Sequence, residues 1–134
     1  DWDNKLAPGG TGIRSFHPLV IALAAGASFV ARAFSGDPNG TAEIIAKGIR
    51  HPGFAFIEIL SPCVTFRPEQ RDWKTQVHAA AVDTTDDAAR AARRIMTDDG
   101  FNTGVLYAGQ RKAYVAPRNP APRTVAELAK EFEL

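Results

Sequence analysis

The sequence predicts an α/β domain, a parallel sheet flanked by helices, and three observations predict it. Two short runs, "SFVARAF" and "FAFIEIL", carry the β-branched and aromatic residues of buried strands and are apolar at nearly every position. Between them lie a loop, one helical segment and a turn. The whole unit takes about thirty residues, the size of a right-handed βαβ crossover. The chain has 134 residues, 45% hydrophobic and 23% charged, enough for one domain with a core and too apolar for wholesale disorder.

The elements follow in order. "DWDNKLAPGGTGIRS" shows no periodicity and is rich in turn formers, so an irregular lead is expected over residues 1–15. "HPLVIALAAG" reads as a short helix with Pro18 in its first turn and Gly26 as a left-handed stop. Apolar all round, it should be buried on most faces. "SFVARAF" is the first strand and "SGDPNG" a loop. Thr41 is the expected cap of the next helix, whose Ile44, Ile45 and Ile49 share a face; "HPG" at 51–53 ends it before "FAFIEIL". "PEQRDWKTQV" predicts a short helix from Pro68. "DTTDDAARAARRIMTDDG" predicts another, capped by Asp83 or Thr85, with Asp86 and Asp87 in its first turn and Gly100 at its end. Its narrow apolar stripe is Ala88, Ala91, Ala92, Ile95 and Met96. "GVLYA" and "KAYVA" can form a hairpin or a strand with an irregular connection. "APRNPAPR" is a Pro-rich spacer, and Thr124 with Glu127 matches a capping box opening a terminal helix that carries Leu128 and Phe132.

Bulk properties narrow the function. A formal net charge of +1 gives no global electrostatic reason for a nucleic-acid or anionic-membrane partner. The longest apolar run, "PLVIALAAGASFVA", is too short to span a bilayer, and no secretory leader is expected from the opening residues. One cysteine makes no internal disulfide and favours a reducing, cytoplasmic setting.

Ligands of open α/β sheets collect beyond the carboxyl ends of the strands, where "SGDPNG" and "SPCVTF" are expected to lie. Cys63, the lone thiol, therefore sits on the edge where chemistry is expected. Two readings stand: a small residue that only packs, or one contribution to a site completed from outside this chain. Other candidates are weaker. His17, His51 and His78 do not have zinc spacing. "APGGTG" follows no strand and lacks the Gly-Lys-Ser/Thr of a phosphate loop. The pairs at Asp86/Asp87 and Asp98/Asp99 read as helix-end charges and Arg90–Arg94 as a solvated face, with docking of an acidic partner as the alternative. Trp73 and Phe66 either pack or line a pocket.

Three segments, "HPLVIALAAGASFVARAFSGD", "IIAKGIRHPGFAFIEILSPCVTF" and "DDAARAARRIMTDDGFNTGVLY", together resemble the C-terminal part of the β subunit of 2-oxoacid:ferredoxin oxidoreductases, closest to the 2-oxoglutarate type, from about His17 to about Tyr107. The resemblance implies the C-terminal half of a thiamine-diphosphate-binding domain over residues 16–110, with residues 111–134 as spacer and terminal helix. It implies thiamine diphosphate, Mg²⁺ and a [4Fe–4S] cluster as cofactors of the intact enzyme, and Cys63 of the Ser61-Pro62-Cys63 motif as a cofactor-binding and metal-ligating thiolate whose three companions lie upstream. The implied activity is coenzyme A-dependent oxidative decarboxylation of a 2-oxoacid with electron transfer to ferredoxin. The implied partners are the α subunit, the N-terminal half of the β subunit, coenzyme A and ferredoxin. The family's Gly-Asp-Gly…Asn element, which anchors Mg²⁺ and the diphosphate, is not matched; "SGDPNG" has Gly36 and Asp37 in the wrong order and place. No catalytic residue is assigned. The expectation is a segment of a larger subunit, inactive alone and prone to self-association. The competing reading is a non-catalytic α/β binding or assembly module with a structural cysteine.

Overall fold

The computed structural model describes residues 8–10, 12, 15–81, 83–112, 115, 124, 125 and 130. Most of "KAYVA", the Pro-rich spacer and most of the terminal helix, with Leu128 and Phe132, lie outside the described residues. Among the described residues, four helices and four strands follow in the order α1 (Pro18–Ala24), β1 (Phe29–Phe34), α2 (Pro38–Arg50), β2 (Ala55–Leu60), α3 (Trp73–Gln76), β3 (His78–Ala79), α4 (Ala88–Thr97) and β4 (Asn102–Ala108). A 3-10 turn over Pro68–Asp72 leads into α3.

The strands form one four-stranded sheet in the order β2-β1-β4-β3. The predicted βαβ unit is present: β1 and β2 pair in parallel from Phe29↔Ala55 to Phe34↔Leu60, with α2 as the crossover. The sheet as a whole is mixed rather than parallel throughout. β3 and β4 pair in parallel around α4, making a second, smaller βαβ unit, and that unit joins the first with β4 antiparallel to β1. The residues Asp98–Phe101 between α4 and β4 are too few for any other arrangement than an immediate return to the sheet. "GVLYA" is the body of β4, and its neighbours are β1 and β3.

Strand alternation assigns the two faces. Val30 points to one side, into a core of Leu19 and Ala22 from α1, Ala27 from the turn after it and Ile95 from α4. Phe29 points to the other, toward α2. There Gly48 lets the helix lie so close that an added Cβ would come within 2.9 Å of Ile57. Gly26, at φ 88°, ends α1 as expected.

Several local expectations are corrected. Asp37, not Thr41, caps α2: its carboxylate accepts the Gly40 N–H at 3.0 Å and Pro38 occupies the first turn, so the helix begins within "SGDPNG". Thr41 instead donates its hydroxyl to the Phe34 carbonyl. Asp87, not Asp83 or Thr85, caps α4 by accepting the Arg90 N–H at 3.0 Å. That bond holds its carboxyl below the usual range. Thr85 forms an isolated bridge to Tyr107. α4 stops at Thr97, three residues before Gly100. The helix expected from Pro68 is a 3-10 turn followed by one turn of α3, and β3 lies where no strand is predicted.

Burial also departs from expectation. α1 buries Leu19 and Ala22 but leaves Ile21 exposed: among the described residues it packs on α4, β2 and β1. On α2 the contact with the sheet is made through Gly48, so Ile45 and Ile49 of the predicted apolar face are exposed. On α4, Ala91 and Ile95 are buried while Met96 is exposed.

Candidate functional site at the carboxyl edge of the first βαβ unit

β1 and β2 end together: the Ser35 N–H donates to the Leu60 carbonyl at 3.0 Å, so the loops after both strands open on one edge. The turn Asp98–Phe101, leading into β4, opens there too, because β4 runs antiparallel to β1. Trp73 packs edge-on against Phe101, with ring centroids 5.6 Å apart, and so fastens the segment after Cys63 to that turn. Trp73 thus packs, while Phe66 is exposed.

Cys63 is exposed on this edge, three residues past the end of β2. The structure therefore does not place it as a packing residue. Its backbone is fully engaged. The Cys63 N–H donates to Gln70 Oε1 at 2.7 Å, and the Cys63 carbonyl accepts from the N–H groups of Phe66 (3.2 Å) and Arg67 (2.8 Å). Gln70 closes the loop by donating its own N–H to the Arg67 carbonyl at 3.0 Å. These bonds engage its backbone and leave the residue exposed.

Behind this edge lies a charge cluster that the sequence reading did not single out. Arg32, at the middle of β1, is buried. Its Nε donates to Glu58 Oε2 at 2.7 Å, and its Nη1 donates to Asp98 Oδ2 at 3.1 Å and Asn102 Oδ1 at 2.6 Å. One guanidinium thereby ties β1 to β2, to the end of α4 and to the start of β4. The signal was available: each apolar strand carries one charge at its centre, of opposite sign, and the parallel register sets Arg32 beside Glu58.

The remaining candidates separate. His51 packs tilted against Phe29, with ring centroids 5.2 Å apart, at the end of α2. His78, on β3, bonds Asp99 through Nε2 at 2.8 Å. That bond, followed by the one to the Ala79 carbonyl, raises the His78 pKa, and His78 in turn lowers that of Asp99. A cleft of about 360 Å³ lies between α4 and the β3–β4 edge, with Ala91, Ile95 and Leu106 in its wall and His78 and Asp99 also lining it.

Among the described residues no three His, Cys, Asp or Glu side chains come together as a metal site. One exposed cysteine fits a single corner of a thiolate-held cluster and does not hold one alone. No helix among the described residues is long and apolar enough to cross a membrane.

Comparison with known proteins bears out the resemblance read from the sequence. The chain is 42% identical over 50 residues to the 2-oxoacid:ferredoxin oxidoreductase subunit beta of Saccharolobus solfataricus, covering 37% of this chain and 16% of that protein. It is 40% identical over 62 residues to the 2-oxoglutarate oxidoreductase subunit KorB of Mycobacterium tuberculosis, covering 46% and 17%. A longer match, 26% over 117 residues, to a subunit beta of Aeropyrum pernix covers 87% of this chain and 28% of that one. Among solved structures, a chain of 2-oxoglutarate:ferredoxin oxidoreductase from Magnetococcus marinus, with 2-oxoglutarate, coenzyme A and succinyl-CoA bound, superposes with a TM-score of 0.71 at 30% identity. That match covers 84% of this chain and 40% of the solved one. No protein-family model matches the chain. The chain thus spans less than a third of the length of these curated relatives and two fifths of the solved chain.

Proposed function

We propose that this chain is the C-terminal part of the β subunit of a 2-oxoacid:ferredoxin oxidoreductase, acting on 2-oxoglutarate with coenzyme A and passing electrons to ferredoxin in the cytoplasm. The observation that carries the reading is the structural likeness to the Magnetococcus marinus enzyme chain, together with the repeated match to β subunits. It is supported by the exposure of Cys63 on the edge where an α/β sheet presents ligand sites.

In this reading Cys63 is one of four thiolates of a [4Fe–4S] cluster, and the other three come from residues outside this chain. Such a cluster, when bound, takes up and releases electrons one at a time. This chain's part is positional. The loop from Cys63 to Gln70 holds Cys63 exposed on the edge, and the Arg32 cluster holds together the strands and the turn from which that edge is built. Thiamine diphosphate and Mg²⁺ are assigned to residues outside this chain, so no step of their chemistry is assigned to a residue here.

The outer edge of β2, unpaired among the described residues, and the exposed Ile45, Ile49 and Ile59 support a role in assembly with the rest of the β subunit and with the α subunit. Alone, the chain self-associates through this surface and shows neither cluster nor turnover. The decisive experiment is anaerobic reconstitution with iron and sulfide, with the remainder of a β subunit supplied as a separate polypeptide. Broad visible absorbance that disappears in Cys63→Ser is expected. A colourless product overturns the assignment, and stoichiometric iron on this polypeptide alone overturns the expectation that the isolated chain holds no cluster.

A further inference from the structure

We propose that Gln70 is the positioning residue for Cys63, an inference that rests on the cluster reading above. Gln70 is only 7% exposed although it lies in a 3-10 turn between exposed residues. A buried carboxamide needs a partner, and the contact shown is to the residue at issue: its Oε1 accepts the Cys63 N–H at 2.7 Å. The two carbonyl bonds from Phe66 and Arg67 hold the other side of the same residue. Pro62 fixes its own φ and restricts Ser61 before it. Both peptide groups flanking the Cys63 α-carbon are therefore anchored, and the direction of the sulfur is left to one side-chain torsion.

The bond has a second consequence. Hydrogen bonds to the sulfurs are among the determinants of a cluster's reduction potential. With its N–H committed to Gln70, Cys63 cannot turn that donor toward its own sulfur or a neighbouring one. Gln70 thus fixes the backbone from which the thiolate projects and withholds a donor from it.

The test compares the full chain with Gln70→Met, which keeps bulk and removes the acceptor, and Gln70→Glu, which keeps an acceptor. Amide hydrogen exchange at Cys63 is expected to run about five- to tenfold faster in Gln70→Met, the factor for one ordinary hydrogen bond, and to return toward the wild-type rate in Gln70→Glu. In the reconstituted assembly, Gln70→Met is expected to shift the reduction potential upward and Gln70→Glu to leave it lower than Gln70→Met. Unchanged exchange in Gln70→Met overturns the proposal, as does failure of Gln70→Glu to restore protection. Altered exchange with an unmoved potential also overturns it, leaving a purely structural bond. If Cys63→Ser reconstitutes the same visible absorbance as the wild type, the cluster reading itself falls, a result separable from the exchange data.

Discussion

β1 and β2 are neighbours of equal length, paired residue for residue and almost equally apolar, yet β1 is buried at all six positions and β2 is fully buried at none. Composition does not explain the difference. β1 has a strand on each side and helices on both faces. β2 has β1 on one side, and on the other nothing among the described residues. A continuous apolar strand reports that both its faces and its edges are meant to be covered; whether this chain supplies the cover is a separate matter. The chain's span of two fifths of its solved neighbour agrees with cover arriving from elsewhere.

The largest test strikes the bond that makes the two strands one unit. Arg32→Ala leaves Glu58 and Asp98 as carboxylates without their cation in a mostly buried setting, and a loss of about 3–5 kcal/mol is expected. The denaturant midpoint, with its slope checked for constancy, measures it. A loss below about 1 kcal/mol would show that water reaches the cluster freely and that it is not the clasp of the fold.

The strand contrast itself is sharpened by two truncations. Leu19, wholly buried against Val30, should cost about 3 kcal/mol as Leu19→Ala. Ile59→Ala on β2 should cost under about 1 kcal/mol in the isolated chain, since Ile59 is 44% exposed. Equal losses at the two sites would contradict the difference in cover. Ile49, 79% exposed on α2, gives a cleaner probe of assembly. Ile49→Asp should leave stability within about 0.5 kcal/mol while lowering the mass seen by light scattering at high concentration. A wild-type chain that stays monomeric at that concentration removes the basis for self-association.

What the sequence made legible was the part set by neighbours along the chain. α1, β1, α2 and β2 follow from apolar runs, Pro18, Gly26 and the "HPG" turn, all local signals. The cap of α2 was misplaced because Asp37 and Thr41 are both good caps; Pro38, suited to a first helical position, was the cue for Asp37. β3 was illegible because two residues become a strand only by pairing with Asn102 and Thr103, more than twenty positions away. The exposure of Ile45 and Ile49 was hidden for a similar reason. An isoleucine stripe marks a face to be buried, and only the packing shows that Gly48 makes the contact instead. At the site, the placement of Cys63 on the carboxyl edge was legible from the βαβ pattern. Gln70 was not, since nothing in "PEQRD" announces that its glutamine turns inward.

The opposite edge of the sheet supplies the smallest effect and the control for the β2 edge. β3 is fastened there by polar contacts: Thr103 Oγ1 donates to the His78 carbonyl at 3.1 Å, and His78 bonds Asp99. His78 faces acceptors with both ring nitrogens, Asp99 through Nε2 and the Ala79 carbonyl through Nδ1, and only the imidazolium donates to both. Its pKa is accordingly raised from the ordinary 6.5, with the Asp99 bond the largest cause. Asp99 is lowered from 3.8, chiefly by His78 and next by the Phe101 N–H. The histidine's contribution to stability is complete below its unfolded value of 6.5 and disappears as pH rises through the raised folded value. The aspartate's is complete above 3.8 and disappears as pH falls through the lowered one. The pair therefore works fully between those two values, weakly, because both side chains are about half exposed and salt screens them. In an NMR titration of the His78 ring, Asp99→Asn should bring the midpoint down toward 6.5, and added salt should do part of the same. Coincident midpoints for wild type and Asp99→Asn would mean that the pair does not form in solution, and that the β3 edge is held by its backbone ladder and Thr103 alone.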